Sequence, residues 1–494
     1  MILTLDVGPM AHGGHCVARY EGRVVFVRHA IPGETVRARV TEAGDGAKFW
    51  RADVVEVLQA SDYRRRHIWK LADSLRAYEM DRLPVGGAEF GHITDQHQRR
   101  LKAQVFRDTL QRLGGIPPHQ LAVAQDPADG ELHVADVGEP HSNGLHWRTR
   151  VTFAVSPDGL LCMKPHRSHE LIELRGMPLA VPPIHESGIF SADFSGALRV
   201  DAVAAGGRGP LALVVHADGN ALSPEALQGL RERLAALAGL EIGTVILAVV
   251  GQPPVDRSGA PRAGTHRGTR SRNGRPASRR RRPDAHAGAR IGYDVIVGPR
   301  AISEPLPIPA PSARGPRHAV ALRPEGFWQI HRNAPRALVD AVAELAEVNP
   351  GETVADLYAG AGLFTAWAAR EAGEGGAVLS VEAAEASHCS AQDLFSGTAG
   401  VELLRSSVER ALGRLTGYDV VVLDPPRAGA GKQVVAGLDE AAPGQIVYVS
   451  CEPSAFARDA KELLARGWRM VDLRLLDLYP NTHHMESVAL FRRG

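Results

Sequence analysis

Four short stretches in the last third of the 494-residue chain hold side chains suited to covalent chemistry. The thiol of Cys451 sits in Ser450-Cys451-Glu452-Pro453, directly after the apolar run QIVYVS. Asp424 ends the run DVVVLD and is followed by Pro425-Pro426-Arg427. Two prolines hold the backbone extended there and present the carboxylate at the strand end. A glycine turn follows VADL as Tyr358-Ala359-Gly360-Ala361-Gly362, and His483-His484-Met485-Glu486 separates the last two strand-like runs. A cysteine is most often a small buried hydrophobe, and Cys16, Cys162 and Cys389 are read that way. Cys451 differs by position, in one crevice with Asp424 and the glycine turn and above the start of the next helix. A helix N-terminus is expected to lower the thiol pKa and favour the thiolate, so Cys451 is a candidate nucleophile. A carboxylate at a hairpin tip is ordinarily just solvated, but beside a nucleophilic thiol Glu486 suits a general base. The paired histidines have no further ligands at suitable spacing, and no metal is expected.

The glycine turn lets a ligand approach the backbone, and Glu382, ending the next strand-like run, is placed to accept hydrogen bonds from ribose hydroxyls. The same arrangement suits NAD. Against NAD, the third glycine of G-x-G-x-x-G is absent, since position 365 is Thr. The run Ala428-Gly429-Ala430-Gly431-Lys432 is no phosphate loop. Pro426 stands where its first glycine belongs, and Gln433 where Ser or Thr belongs.

These residues need a scaffold, and residues 318–494 supply the cleanest pattern in the chain. Five strand–helix alternations end in two strand-like runs with no helix between them. This describes a doubly wound, Rossmann-like parallel sheet closed by an antiparallel strand, with ligands beyond the carboxyl ends of its strands. Residues 1–60 hold β-branched runs between Gly and Pro turns, as in a small oligonucleotide-binding (OB-like) β-barrel. Residues 61–251 mix helical and strand-like stretches and read as a central α+β domain. Residues 252–290 contain eleven Arg, no Lys and two Asp, with almost no aliphatic residues. No packed core can form from that composition, so a disordered insert is expected, able to touch RNA phosphates non-specifically or simply to be solvated. The fold class is thus multidomain α/β.

Composition narrows the class. Hydrophobic residues make up 44% and charged residues 23%, an ordinary globular balance that excludes fibrous, wholly disordered and disulfide-scaffold proteins. Net charge is only +1, although 252–290 alone carries +9, leaving −8 for the rest. Of 57 basic residues 51 are Arg, which suits phosphate recognition but follows equally from a biased codon pool. Scattered cysteines, no signal-peptide pattern and no long apolar run lead to the expectation of a cytoplasmic protein without a membrane span.

The stretches FWQIH (327–331), DLYAGAGLF (356–364), LDPPRAG (423–429), SCEPSAFARD (450–459) and HHMES (483–487) resemble, in order, the class I S-adenosylmethionine-dependent RNA 5-methyluridine methyltransferases. The N-terminal AHGGHCVARYEGRVVFVRHAIPGETV resembles the TRAM RNA-binding domain of many members. The resemblance spans nearly the whole chain except the Arg-rich insert. It implies that Cys451 adds to uracil C6 and that Glu486 removes the C5 proton. It further implies that Gln329, Tyr358, Glu382 and Asp424 bind S-adenosylmethionine. The target base is expected to be flipped into the pocket, with the TRAM-like module holding RNA by shape and backbone. Ribosomal RNA, most simply 23S, is favoured over transfer RNA because relatives acting on transfer RNA often lack the TRAM module. A monomer is expected.

Two departures stand out. Many relatives carry an iron–sulfur cluster, but the segment resembling their Cys-Gly-Gly-Cys reads Val85-Gly86-Gly87-Ala88, and Met177 occupies a later ligand position. No cluster is therefore expected. His331 stands where relatives usually carry Asn. Other readings fit less well. Cytosine-C5 enzymes place Cys directly after the Asp-Pro pair, where this chain has Pro426-Arg427. Amino-group methylation leaves Cys451 and Glu486 without a role. A non-catalytic RNA-binding or assembly protein leaves the whole constellation unused.

Overall fold

The computed structural model describes residues 1–44, 47–117, 132–251, 291–312 and 315–494. The Arg-rich insert expected at 252–290 lies outside the described residues. The first six strands are β1 (Ile2–Asp6), β2 (Met10–Ala11), β3 (His15–Tyr20), β4 (Arg23–Arg28), β5 (Thr35–Glu42) and β6 (Phe49–Gln59). They pair in the order β1-β5-β6-β4-β3-β2. Alternate residues such as Leu3, Leu5, Val25, Val27, Val36, Ala38, Ala52 and Val54 point inward and share one core, as a period-two pattern requires. Helix α1 (Ser74–Glu79) docks on this module, Tyr78 donating to Asp53 at 2.9 Å.

Helix α2 (Asp95–Thr109) and strand β7 (Val134–Asp136) lie within the expected central unit but pack elsewhere. Phe106 of α2 stacks on Phe456, and β7 pairs in parallel with the edge of the C-terminal sheet, Val134 opposite Leu475. An open sheet edge is a liability unless covered, and β7 covers this one. The central sheet is built from β8 (Arg150–Val155), β9 (Leu161–Met163), β10 (Ile172–Glu173), β11 (Arg199–Ala204), β12 (Leu211–Asp218), β13 (Ile242–Val250) and β14 (Ile291–Val297). Its order is β10-β9-β8-β11-β12-β13-β14. It runs past the expected boundary at 251, because β14 returns antiparallel to β13. The Arg-rich segment thus joins two neighbouring strands. Helix α3 (Pro182–His185) and helix α4 (Pro224–Ala236) complete this part; α4 is capped by Ser223, whose side chain accepts from Ala226 N. A two-stranded ribbon, β15 (Ile302–Ala310) with β16 (Arg317–Leu322), and helix α5 (Ala334–Leu345) lead into the last sheet.

That sheet contains β17 (Thr353–Leu357), β18 (Ala377–Glu382), β19 (Val401–Arg405), β20 (Val420–Leu423), β21 (Gln445–Ser450), β22 (Trp468–Asp477) and β23 (Glu486–Arg493). With β7 the order is β19-β18-β17-β20-β21-β23-β22-β7. The first five strands of this set are parallel and β23 inserts antiparallel beside β21. Helices α6 (Leu363–Ala372), α7 (Glu385–Leu394), α8 (Val408–Ala411), α9 (Gly431–Ala441) and α10 (Pro453–Ala465) connect them. Val420–Leu423 and Ile446–Val449 are inaccessible to solvent on both faces, which is why these strands read as continuous apolar runs. Strand order reverses between β17 and β20, so the ends of β17, β18, β20 and β21 open one crevice.

The loop leaving β17 holds the tightest backbone in that crevice. Tyr358 sits at φ +61 and Gly362 at φ +94, both left-handed, and the former is strained for a residue with a Cβ. A Cβ on Gly362 would lie 2.7 Å from the ring of Phe395. Gly362→Ala is expected to destabilise the protein by roughly 1–3 kcal/mol, read as a lower denaturant midpoint with unchanged slope. A midpoint equal to wild type would show that the turn relaxes.

Candidate active site

Strand register places the chemical groups together. Leu357 pairs with both Val381 and Leu423, so Tyr358, Glu382 and Asp424 emerge side by side. Ser450 pairs with Ser487 across β21 and β23, so Cys451 and Glu486 flank the same rung. A cavity of about 530 Å³ collects all six expected residues, Gln329, Tyr358, Glu382, Asp424, Cys451 and Glu486, in its wall. Phe327, Trp328, Leu363 and Phe364 give it apolar sides. A wider cleft of about 840 Å³ beside the β15–β16 ribbon is lined mainly by Pro, Gly and Ala and gathers no such groups.

Hydrogen bonds fix several of these side chains. Glu382 accepts from Gly360 N at 2.8 Å and from Ala384 N, which braces the glycine turn and leaves lone pairs for a ligand. Gln329 Nε2 donates to Asp424 Oδ2 at 3.4 Å. Tyr479 donates its hydroxyl to Glu486 Oε2 at 3.1 Å, while Glu486 Oε1 has no partner among the described residues. Beneath the turn Asp356 accepts from the Thr365 hydroxyl at 2.6 Å, and its other oxygen is likewise unpartnered. Thr365, the residue that argued against NAD, thus anchors a buried acid.

The cavity is electrostatically one-sided. Burial pushes Asp424 and Asp356 each up to about 7, and burial together with Asp424 holds Glu486 well above the usual carboxylate range. Arg427 is the one cation among the lining residues. Such a site favours a positively charged ligand, and a sulfonium meets that need. Gly360, at φ +57, would carry its Cβ into open space, leaving bare backbone where a ligand can lie. The residues present therefore fit S-adenosylmethionine.

The expected lowering of the Cys451 thiol does not occur. Burial first, then Glu486 and Asp424, push it up to about 12, against a smaller opposing pull from Arg427. The start of α10 is already occupied: Glu452 accepts from Ser454 N at 3.3 Å and from its hydroxyl at 2.8 Å. A helix end contributes roughly 0.3–1 kcal/mol at its first turn, whereas burial can move a pKa by about 3–5 units. Burial wins.

Glu486 is no solvated hairpin tip; it opens β23 and is 3% exposed. Sequence reasoning missed Tyr479 and gave Asp356 no role, although Asp356 stands at the head of the quoted glycine motif. It also missed Glu89, which folds back to lie with His483 and His484 within 4.8 Å. Glu89 pairs with His483, and that pairing draws the carboxyl down despite burial. His331 stays out of the cavity: it is 1% exposed, stacks on Trp147 and accepts from Asn333 N at 3.0 Å. Val85, Ala88 and Met177 are packed with Trp69, Trp147 and Leu174 in an apolar core.

Asp424→Asn tests the electrostatic reading. A carboxyl whose folded pKa is raised destabilises the fold progressively between its unfolded and folded values, here from about 4 to about 7. The stability advantage of Asn is expected to grow from pH 5 to pH 7 and then level off, measured by denaturant midpoints. A pH-independent difference would refute the raised value.

Comparison with known proteins agrees with the geometry. The family model described as tRNA (Uracil-5-)-methyltransferase matches residues 326–494, and the TRAM domain matches residues 2–55. An uncharacterised RNA methyltransferase of Streptomyces avermitilis is 35% identical over 98% of this chain and 97% of its own. The 23S rRNA (uracil(1939)-C(5))-methyltransferase RlmD of Alkalilimnicola ehrlichii is 30% identical over 98% and 95%. The crystal structure of Pyrococcus abyssi tRNA (uracil-54, C5)-methyltransferase with S-adenosyl-L-homocysteine shares the fold, with a TM-score of 0.61, 19% identity and coverage of 99% and 100%. No helix among the described residues is long and apolar enough to cross a membrane. Similarity sustained over nearly the full length of a uracil-C5 enzyme, on a sheet whose strand ends converge as they do here, means that this chain belongs to the S-adenosylmethionine-dependent RNA uracil-C5 methyltransferases.

Proposed function

We propose that the protein methylates C5 of a uridine in 23S ribosomal RNA through a covalent bond between Cys451 and C6 of the base. The observation that carries the reading is Cys451 and Glu486 facing one cavity from neighbouring antiparallel strands, with Asp424 between them and the glycine turn. Bound S-adenosylmethionine supplies an electrophilic methyl group on a cationic sulfur. Gln329, Tyr358, Glu382 and Asp424 are the residues to hold it. Cys451 and Glu486 each release a proton to solvent, and the Cys451 sulfur bonds to C6; the C5=C6 electrons move toward O4, which makes C5 nucleophilic. After C5 carries the methyl, Glu486 takes the C5 proton, the C5=C6 bond re-forms and the sulfur–C6 bond breaks. A neutral thiol at rest suits this order, since Cys451, Asp424 and Glu486 all ionise more readily beside a cation. The TRAM domain and the full-length similarity to a ribosomal RNA enzyme support the choice of RNA.

The test incubates the full chain with labelled S-adenosylmethionine and undermodified ribosomal or transfer RNA, then identifies modified nucleosides by mass spectrometry. 5-Methyluridine in 23S RNA is expected. Its appearance in transfer RNA alone would overturn the substrate, and its absence from both would overturn the activity.

A further inference from the structure

A second cavity of about 290 Å³ adjoins the catalytic one and shares Ile330, Arg427 and Tyr479 with it. Three parts of the chain enclose it: the N-terminal module at Gly14 and Arg28, the central region at Gly87 and Arg148, and the segment 479–484. The walls meet closely, since a Cβ on Gly14 would lie 2.9 Å from the Cβ of His483.

Arg148 is the unexplained group. Its Nε donates to the carbonyl of Arg150 at 3.0 Å, and its guanidinium lies 5.9 Å from the centre of the Trp147 ring. Protein surrounds it, yet it retains accessible surface where it lines the cavity. Among the described residues no carboxylate pairs with it. Arg28 across the cavity is taken by Asp53 at 2.7 Å, and the nearby acid Glu89 is taken by His483. Burial lowers the pKa of Arg148; Tyr479 opposes that shift, Arg427 adds like charge, and Glu89 opposes it more weakly. A guanidinium largely enclosed by protein and ion-paired to no carboxylate among the described residues gains from an anion in the cavity it lines.

We propose that this cavity is a phosphodiester subsite, in which Arg148, with Arg427 on the shared wall, takes the RNA phosphate next to the nucleotide whose base enters the catalytic pocket. The proposal rests on the reading of a flipped RNA base in that pocket. Such a base stays tied through its ribose to phosphates on either side, and those must lie just beyond the pocket mouth. The guanidinium fork matches phosphate oxygens two at a time. Arg148 is then a positioning residue, setting the depth to which the base enters.

The experiment measures binding of a fluorescein-labelled ribosomal RNA stem-loop to the full chain across a salt series, by anisotropy. Arg148→Gln is expected to weaken binding about tenfold and to lower the slope of log Kd against log salt by about one. Arg148→Lys retains the slope, and calorimetric S-adenosylmethionine affinity is unchanged in both. Arg427→Gln, at an exposed position, is expected to lower the slope in the same way without touching the packing. An unchanged slope in Arg148→Gln overturns the proposal. So does an equal loss of RNA binding and melting temperature in the Gln and Lys variants, which would make Arg148 a packing partner of Trp147. The assay needs no turnover. A slope effect in a protein that forms no 5-methyluridine would sink the function above and leave the subsite standing.

Discussion

Cys451→Ala is expected to abolish 5-methyluridine formation while the protein stays folded and binds S-adenosylmethionine. The loss should be on the order of 10⁴-fold or more, as for removal of other nucleophiles that work as part of a unit. Uracil C5 is too weak a nucleophile to take a methyl group unaided, and no other thiol reaches the cavity. Cys16 and Cys162 are buried in other cores, and Cys389 lies on α7 and does not line the pocket. The variant should fold, because Cys451 follows the last residue of β21 and its sulfur makes no hydrogen bond among the described residues. It should also be slightly more stable at high pH, since a buried ionisable group is removed. Nucleoside mass spectrometry reads the activity and calorimetry reads cofactor binding. Residual methylation within tenfold of wild type would refute the covalent route.

The parallel sheet and the positions of its strand ends were legible because the inner strands β20 and β21 are buried on both faces and β17 and β20 run straight into a glycine turn and a proline pair. Once Leu357, Leu423 and Ser450 are recognised as strand ends, Tyr358, Asp424 and Cys451 must share a crevice. The state of the thiol was not legible in the same way. It depends on Glu486, which arrives from a strand beginning 35 residues later, and on Glu452, which already caps α10. Glu486 is distant in sequence, so its charge beside the thiol could not be read from order; Glu452 is adjacent, but that its side chain turns to Ser454 is a matter of conformation. The three-residue β7 is too short to carry a periodic signal, and its place against β22 follows from the need to cover an edge. Glu89 and His483 are separated by 394 positions, so spacing rules for metal ligands could not bring them together. Tyr479 carried no motif of its own, yet among the described residues its hydroxyl alone hydrogen-bonds the Glu486 carboxyl.

Glu486→Gln should stop the reaction after methyl transfer, with protein and RNA still joined. Taking the C5 proton is what allows the C5=C6 bond to re-form and the Cys451 sulfur to leave, and an amide cannot accept that proton. Turnover should fall about 10²–10⁴-fold, while an RNA–protein species stable to denaturing gel electrophoresis accumulates in proportion to enzyme. Its mass after nuclease digestion should include the transferred methyl. The substitution keeps side-chain volume, and the amide carbonyl can still accept from Tyr479, 3.1 Å from the carboxyl in wild type. It also removes a buried acid that burial and Asp424 hold protonated well above the usual range, so stability should not suffer. The same raised pKa explains how one carboxyl can serve here. A base that binds its proton strongly is suited to drawing one from carbon, provided it is ionised when the base is methylated. If the variant instead turned over at the wild-type rate, the proton would have another acceptor, and Asp424, the acid whose charge acts on Glu486, would be the first to test.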